Sequence, residues 1–224
     1  MKDKWMRPLS PKPDLVMQTH DAIRMAIMSG ELEPFAPLAQ EDLAASLGVS
    51  RQPVSHALVL LKREGLVVDR GRKGQMVAPI DADRLLALYQ VRGALDGLAA
   101  RLAAVTSTGS NCQSILNDLI CEGMACVEQG QIAALVDADV AFHQAIYALA
   151  GNTEISAMVE SCWPHMVRSM RVVLEDTAAH SEIWSDHRTI ADAIIVGDAD
   201  AAEKIATQHA SKAGEATYRR LKSL

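Results

Sequence analysis

The stretch VDADVAFHQAIYALAGN places Asp139 and His143 four residues apart, a spacing that puts both side chains on one side of a helix. Val136, Ile146 and Ala150 continue that stripe above and below. A carboxylate and an imidazole set into an apolar face need partners, because unpaired burial is costly. His187 falls in line with Ile190 and Ile194, and His209 with Ala202 and Ile205. The Gly197–Asp198 turn folds these two segments back on each other, and the two histidines lie about equally far from it. Their rings can therefore meet at one level. Three neutral imidazoles and one carboxylate suit a divalent ion such as zinc or nickel. The same spacing also fits a buried hydrogen-bonded pair with no ion.

A second group of residues suits a different chemistry. In LGVSRQPVSHALVL, a Gly and an Arg occupy a tight turn and a Pro opens an apolar-periodic helix. Arg51, Gln52, Ser55 and His56 lie off its apolar stripe of Val54, Ala57, Leu58 and Leu61. Arg pairs with guanine and Gln with adenine, while Ser or His can reach bases or phosphates. The segment RGRKG adds Arg70, Arg72 and Lys73 for phosphates or a minor groove.

The elements that must hold these residues are mostly helices. The composition has 49% hydrophobic but only 4% aromatic residues, which favours packed helices over sheets. Residues 1–12 read as an arm in which prolines block regular structure. Asp14 caps a helix to about Ser29, ELEPFAPLAQ is a loop, EDLAASL is a short helix, and Ser50 caps a helix ending near Gly65. LVVDRGRKGQMVA then reads as two short strands around a basic turn. This order predicts a winged helix-turn-helix over residues 1–78. After Pro79 everything reads helical, with segments at about 81–105, 111–129, 131–150, 153–174, 180–196 and 199–221. Short links between them predict an antiparallel six-helix bundle over 79–224.

The net charge of −6 is divided unevenly. Residues 1–78 carry a net +2 and residues 79–224 a net −8, as expected of two domains with different partners. The N-terminal MKDKWMRPLSPKPD has no apolar signal core and no apolar run reaches bilayer length, which points to the cytoplasm and away from a membrane. Cys112, Cys121, Cys126 and Cys162 lack CxxC spacing and read as reduced, buried small hydrophobes.

EDLAASLGVSRQPVSHALVLLKREGLVVDRGRKGQMV resembles the DNA-binding domain of GntR-type bacterial transcription regulators. Arg51 matches the family pattern. Ser55 and His56 stand where the family has Arg and Glu, and Glu41 replaces an Arg of the preceding short helix. Fewer cations imply weaker phosphate anchoring or a different operator, and His56 adds a contact that can change with pH. Further on, DVAFHQAIYALAGN, DHRTIADAIIVGDADAA and TQHA resemble the metal-binding form of the ligand domain (FCD type) of the FadR-like branch. Asp139, His143, His187 and His209 match that pattern position by position. The resemblance implies a small organic acid bound over the metal ion, with Arg92, or more weakly Arg168 or Arg171, pairing its carboxylate. Arg92 reads equally well as the partner of an acidic neighbour. Asp96 stands where Glu is common. His165 and His180 read as surface or capping residues.

The expected function is thus a homodimeric transcription regulator that binds pseudo-palindromic operator DNA under the control of a small carboxylate effector. Two alternatives remain at this point: a metal-dependent enzyme, or a DNA-binding protein whose bundle only dimerises. No HExxH motif or nucleophile elbow supports the enzyme.

Overall fold

The computed structural model describes residues 14–106, 110–174, 177 and 180–223. The expected N-terminal arm lies outside them. The chain divides into two units, residues 1–79 and 80–224.

In the first unit the Asp14 carboxylate accepts hydrogen bonds from Val16 N and Met17 N and starts α1 (Leu15–Ser29). This satisfies two of the amides that a helix start leaves unpaired. A second helix, α2 (Gln40–Leu47), stops at Gly48, whose φ of 65° is left-handed and cheap only for glycine. The next helix, α3 (Arg51–Arg63), starts after an extended Ser50 whose side chain makes no capping bond, contrary to expectation. Ile23, Ile27, Leu38, Val54, Ala57, Leu58, Leu61, Leu66, Val67 and Val77 form one core under these helices. Burying each large aliphatic side chain contributes ~1.5–3 kcal/mol.

The wing consists of β1 (Val67–Asp69) and β2 (Gln75–Val77), antiparallel, with Val67 opposite Val77 and Asp69 opposite Gln75. A short 3₁₀ turn over Gly71–Lys73 carries the basic tip. The segment read as a free loop is partly paired. Phe35 N donates to Val77 O and Leu38 N to Gln75 O, at 3.0 and 2.9 Å. Pro37 cannot donate, so the pairing uses the amides on either side of it.

The second unit contains α4 (Ala82–Thr106), α5 (Ser110–Gln129), α6 (Ile132–Ala150), α7 (Thr153–Glu160), α8 (Trp163–Val173), α9 (His180–Ile195) and α10 (Ala199–Lys222). The helical segment expected over 153–174 is two helices, making seven segments among the described residues. Pro164 explains the break, because it tolerates only the first turn of a helix and so restarts one at Trp163. By length and mean hydropathy of 1.3, α6 could cross a membrane, which the sequence reading did not expect of any segment. Here it packs against α4 and α5 and buries Asp139 and His143.

The tightest contact joins α4 and α10, which run antiparallel: Lys222 pairs with Asp83 at one end and Arg101 with Asp200 and Glu203 at the other. Between these ends the backbones approach closely. A Cβ on Gly214 would lie 2.6 Å from Tyr89 Cβ, and one on Gly97 would lie 3.1 Å from the Glu203 carbonyl. Elsewhere, Gly123 leaves room for the Trp184 ring. The cysteines are free, as expected, but only Cys112 and Cys162 are buried; Cys121 is exposed.

Candidate metal centre and nucleic-acid interface

Asp139 and His143 project from α6, His187 from α9 and His209 from α10, all four buried. The α9–α10 hairpin turns at Gly197, whose φ is 77°. Asp198 caps α10 by accepting from Ala201 N. This hairpin brings His187 Nε2 to 3.1 Å from His209 Nε2. His187 Nε2 is 3.4 Å from Asp139 Oδ1, and His143 Nε2 is 4.0 Å from Asp139 Oδ2. One donor atom from each residue fits within a 4.8 Å cluster.

The rings are held from behind. His143 Nδ1 lies 3.6 Å from Asp96 Oδ2, and His209 Nδ1 lies 3.6 Å from Asp186 Oδ2. Carboxylates behind imidazoles fix ring orientation and raise donor strength at metal sites. Phe142 stacks on His187 with centroids 4.5 Å apart, and Trp184 meets the same ring edge-on at 4.8 Å. Asp96 also accepts a very short bond from Tyr147 Oη and pairs with Arg92 Nε at 3.0 Å. The shift from Glu to Asp at 96 therefore leaves a carboxylate that serves three neighbours.

The electrostatics favour neutral nitrogen donors. Burial first, then the cationic Arg92 and the neighbouring imidazoles, hold His143 well below its usual pKa. Burial, His209 and Arg92 do the same for His187. Burial raises Asp139, while Arg92 and His209 oppose it. Burial also opposes the charge on Arg92, but Asp96, Tyr147 and Asp139 outweigh it and hold that guanidinium above its ordinary value.

The donor set fits a divalent ion. Separations of 3.1 and 3.4 Å are those of donors sharing an ion at bond lengths of about 2.0–2.2 Å. The ion-free reading accounts for His187 and His209 by one hydrogen bond. It leaves His143 Nε2 and Asp139 Oδ2 buried with no hydrogen-bond partner, the kind of orphan a native interior avoids. Next to the cluster is a cavity of about 390 Å³, lined among others by Asp139, His209, Arg92, Tyr89 and Thr217.

Arg92 thus takes both of its expected places, paired with Asp96 and facing the cavity. Its guanidinium also lies over Trp163 at 4.6 Å. Arg168 is buried on α8 but is not among the residues lining this cavity. His165 and His180 are buried, not on the surface; His180 Nε2 bonds Leu174 O at 2.8 Å and faces the cavity. The signal was in the sequence: His180, Trp184, His187, Ala191 and Ile194 share one helical stripe. Asp186, beside His187 in sequence, was not singled out either.

In the first unit, Arg51, Gln52 and His56 are exposed at the start of α3, and Ser55 is half-buried. Arg51 Nη1 donates to Glu41 Oε1 at 2.8 Å, so the residue replacing the family's Arg holds the first base-reading candidate. Arg72 and Lys73 are exposed at the wing tip, and Arg70 is half-buried.

Residues 15–77 match the family described as bacterial regulatory proteins, gntR family, and residues 87–212 match the FCD domain. The chain belongs to the GntR family. This GntR regulator is 31% identical over 193 residues to an HTH-type transcriptional regulator in an unstable DNA locus of Streptomyces ambofaciens, covering 84% of this chain and 78% of that one. It is 26% identical to the HTH-type transcriptional repressor RspR of Escherichia coli K12, covering 92% and 90%. Its fold matches E. coli McbR/YncC with a TM-score of 0.78 at 20% identity, covering 96% of this chain and 100% of that one. The family and the two curated relatives are transcriptional regulators, so the GntR chain is read as a DNA-binding regulator and not as an enzyme.

Proposed function

We propose that this GntR regulator is a repressor whose operator affinity is set by a small organic acid bound over a divalent ion held by Asp139, His143, His187 and His209. The carrying observation is the convergence of four buried residues, three of them (Asp139, His143 and His187) with orphaned polar atoms, beside a cavity that Arg92 also lines. Bound there, the ion supplies a Lewis-acidic site for a carboxylate. Arg92 presents a guanidinium whose Nη2 is buried without a hydrogen-bond partner, suited to a charge-assisted bond. Tyr147 and Asp96 orient that guanidinium, and Asp186 orients His209. An acid spanning α4, α6, α9 and α10 makes different contacts in different helix arrangements, as any population shift requires. DNA contacts fall to Arg51, Gln52, Ser55 and His56 on α3 and to Arg70, Arg72 and Lys73 on the wing. The test is operator binding by fluorescence anisotropy in the zinc-loaded protein, with a panel of organic acids. At least one acid is expected to change affinity tenfold or more, and chelation is expected to abolish that response. A response equal in chelated protein counts against the reading.

The regulator is also proposed to act as a two-fold dimer, since one recognition helix reads too few base pairs. The outer face of α4 supplies a seam. Val91, Leu98 and Val105 recur every seven residues and are 57%, 40% and 63% exposed. Ala87 and Ala94 are exposed between them, and Arg101, between Leu98 and Val105, is turned to Asp200 and Glu203 of α10. A seven-residue apolar repeat suits packing against a second copy of the same helix. Wild type is expected to sediment as a dimer at micromolar concentration, and Val91→Asp/Leu98→Asp as a folded monomer. A wild-type monomer, with and without DNA, or a double variant that stays dimeric, would overturn this.

A further inference from the structure

The cavity beside the four donors has walls of a definite character. Leu135, Met170, Val173, Leu174 and Ile183 form most of one side, and on α10 the small Ala213 follows His209 by one turn. That choice of a small residue keeps the lumen open above the donors. Its volume of about 390 Å³ is room for roughly 13 waters at about 30 Å³ each. An acid of acetate size leaves most of this apolar space unfilled.

Charge narrows the class further. Three cations line the cavity, Arg92, Lys212 and Arg219, against four carboxylates, Asp139, Glu182, Asp186 and Glu215. Two of these cations pair with carboxylates, and Arg92 keeps its Nη2 for the carboxylate bound over the ion. Arg92 pairs with Asp96, Lys212 pairs with Asp186, and Arg219 Nε donates to the Glu215 carbonyl. A divalent ion on the four donors turns the balance of one negative charge into one positive charge. A single carboxylate neutralises that. A second or third carboxylate would face Glu182, Asp186 and Glu215 or the apolar wall.

We infer that the effector is a monocarboxylic acid with an apolar body, aromatic or acyl, and not a polycarboxylate or a sugar acid. The inference rests on the acid-over-ion reading above for the position of the carboxylate. The apolar body lies against Leu135, Met170, Val173 and Leu174, and the wall of Ala213 sets how wide it can be. Three probes test it by isothermal titration calorimetry on the full zinc-loaded chain: 4-phenylbutyrate, citrate and acetate. Phenylbutyrate is expected to bind at least tenfold more tightly than either of the others. Ala213→Phe is expected to weaken phenylbutyrate at least tenfold. Citrate binding as tightly as phenylbutyrate, or more tightly, overturns the class while leaving an acid over the ion in place. Phenylbutyrate binding that survives chelation unchanged keeps the apolar class and overturns the role of the ion. Binding of none of the three overturns both. The wild-type comparison decides the matter even where the variant fails to fold.

Discussion

With the proposed divalent ion loaded on the four donors, chelation is expected to lower the thermal midpoint of this regulator by about 5–10 °C. An ion present at a hundred times its dissociation constant stabilises by about 2.7 kcal/mol, and a domain of this size shifts roughly 2–4 °C per kcal/mol. The four donors come from α6, α9 and α10, so an ion bound there would tie three separate helices. His143→Ala and His209→Ala will each lower the metal content and remove most of that increment. Both will leave basal operator binding largely intact and abolish the acid response. The ion-free protein will also lose stability as the pH falls below about 6.5. Burial holds His143 and His187 well below that value in the folded chain. The unfolded chain therefore takes up protons first, and stability rises with pH through this window. Metal analysis with differential scanning calorimetry checks all of this. Wild-type protein that stays metal-free after dialysis against zinc, nickel and manganese, yet still responds to its effector, rules the mechanism out.

Arg51→Ala will weaken operator binding by ~1–3 kcal/mol per site and relax sequence preference at the position it reads. The side chain is 65% exposed in the first turn of α3, where recognition helices meet base edges. It must leave Glu41 to do so. An exposed pair of this kind contributes only ~0–1 kcal/mol, so the exchange for a bidentate guanine contact is favourable. Glu41→Ala will therefore tighten binding slightly, in the opposite direction to Arg51→Ala. Arg72→Ala at the wing tip will weaken operator and random DNA alike. Anisotropy titrations on operator and scrambled duplexes separate the three. An Arg51→Ala variant that binds its operator as tightly as wild type would remove α3 from the reading role.

Much of this was legible in the residues themselves. The helix-turn-helix and wing follow from Asp14, Gly48, Pro53 and the RGRKG turn, because capping and turn chemistry are local. The Asp139–His143 pair followed from helical periodicity, and the meeting of His187 with His209 followed from their distances to one Gly–Asp turn. The supporting shell was harder to read. Arg92 and Asp96 are an i,i+4 pair on α4, which spacing does announce, but nothing in it signals that Tyr147 and His143 of α6 meet the same carboxylate. His180 shares a buried stripe with Trp184 and His187, whereas α8 buries every residue from Trp163 to Met170, so no periodicity marks His165 as buried. The break before Trp163 was signalled by Pro164, but the apolar periodicity ran on through it. The pairing of Phe35 and Leu38 with the wing is a long-range backbone event that side-chain identity does not encode.

The glycine contact between α4 and α10 has a mechanical consequence. Side chains between two helices act as a compliant layer, since rotamer changes can absorb a small shift. At Gly97 and Gly214 that layer is thinned to one side: the Thr207 hydroxyl and the Glu203 carbonyl lie against Gly97, and the Tyr89 side chain lies against Gly214. Closely packed interiors pass strain on instead of dissipating it. His209 sits on α10 and Arg92 on α4, so these two of the helices that line the cavity are closely coupled. A ligand that pushes on one displaces the other with almost no slack, and the response of the bundle is a tilt of the pair instead of a sliding of one helix along its neighbour.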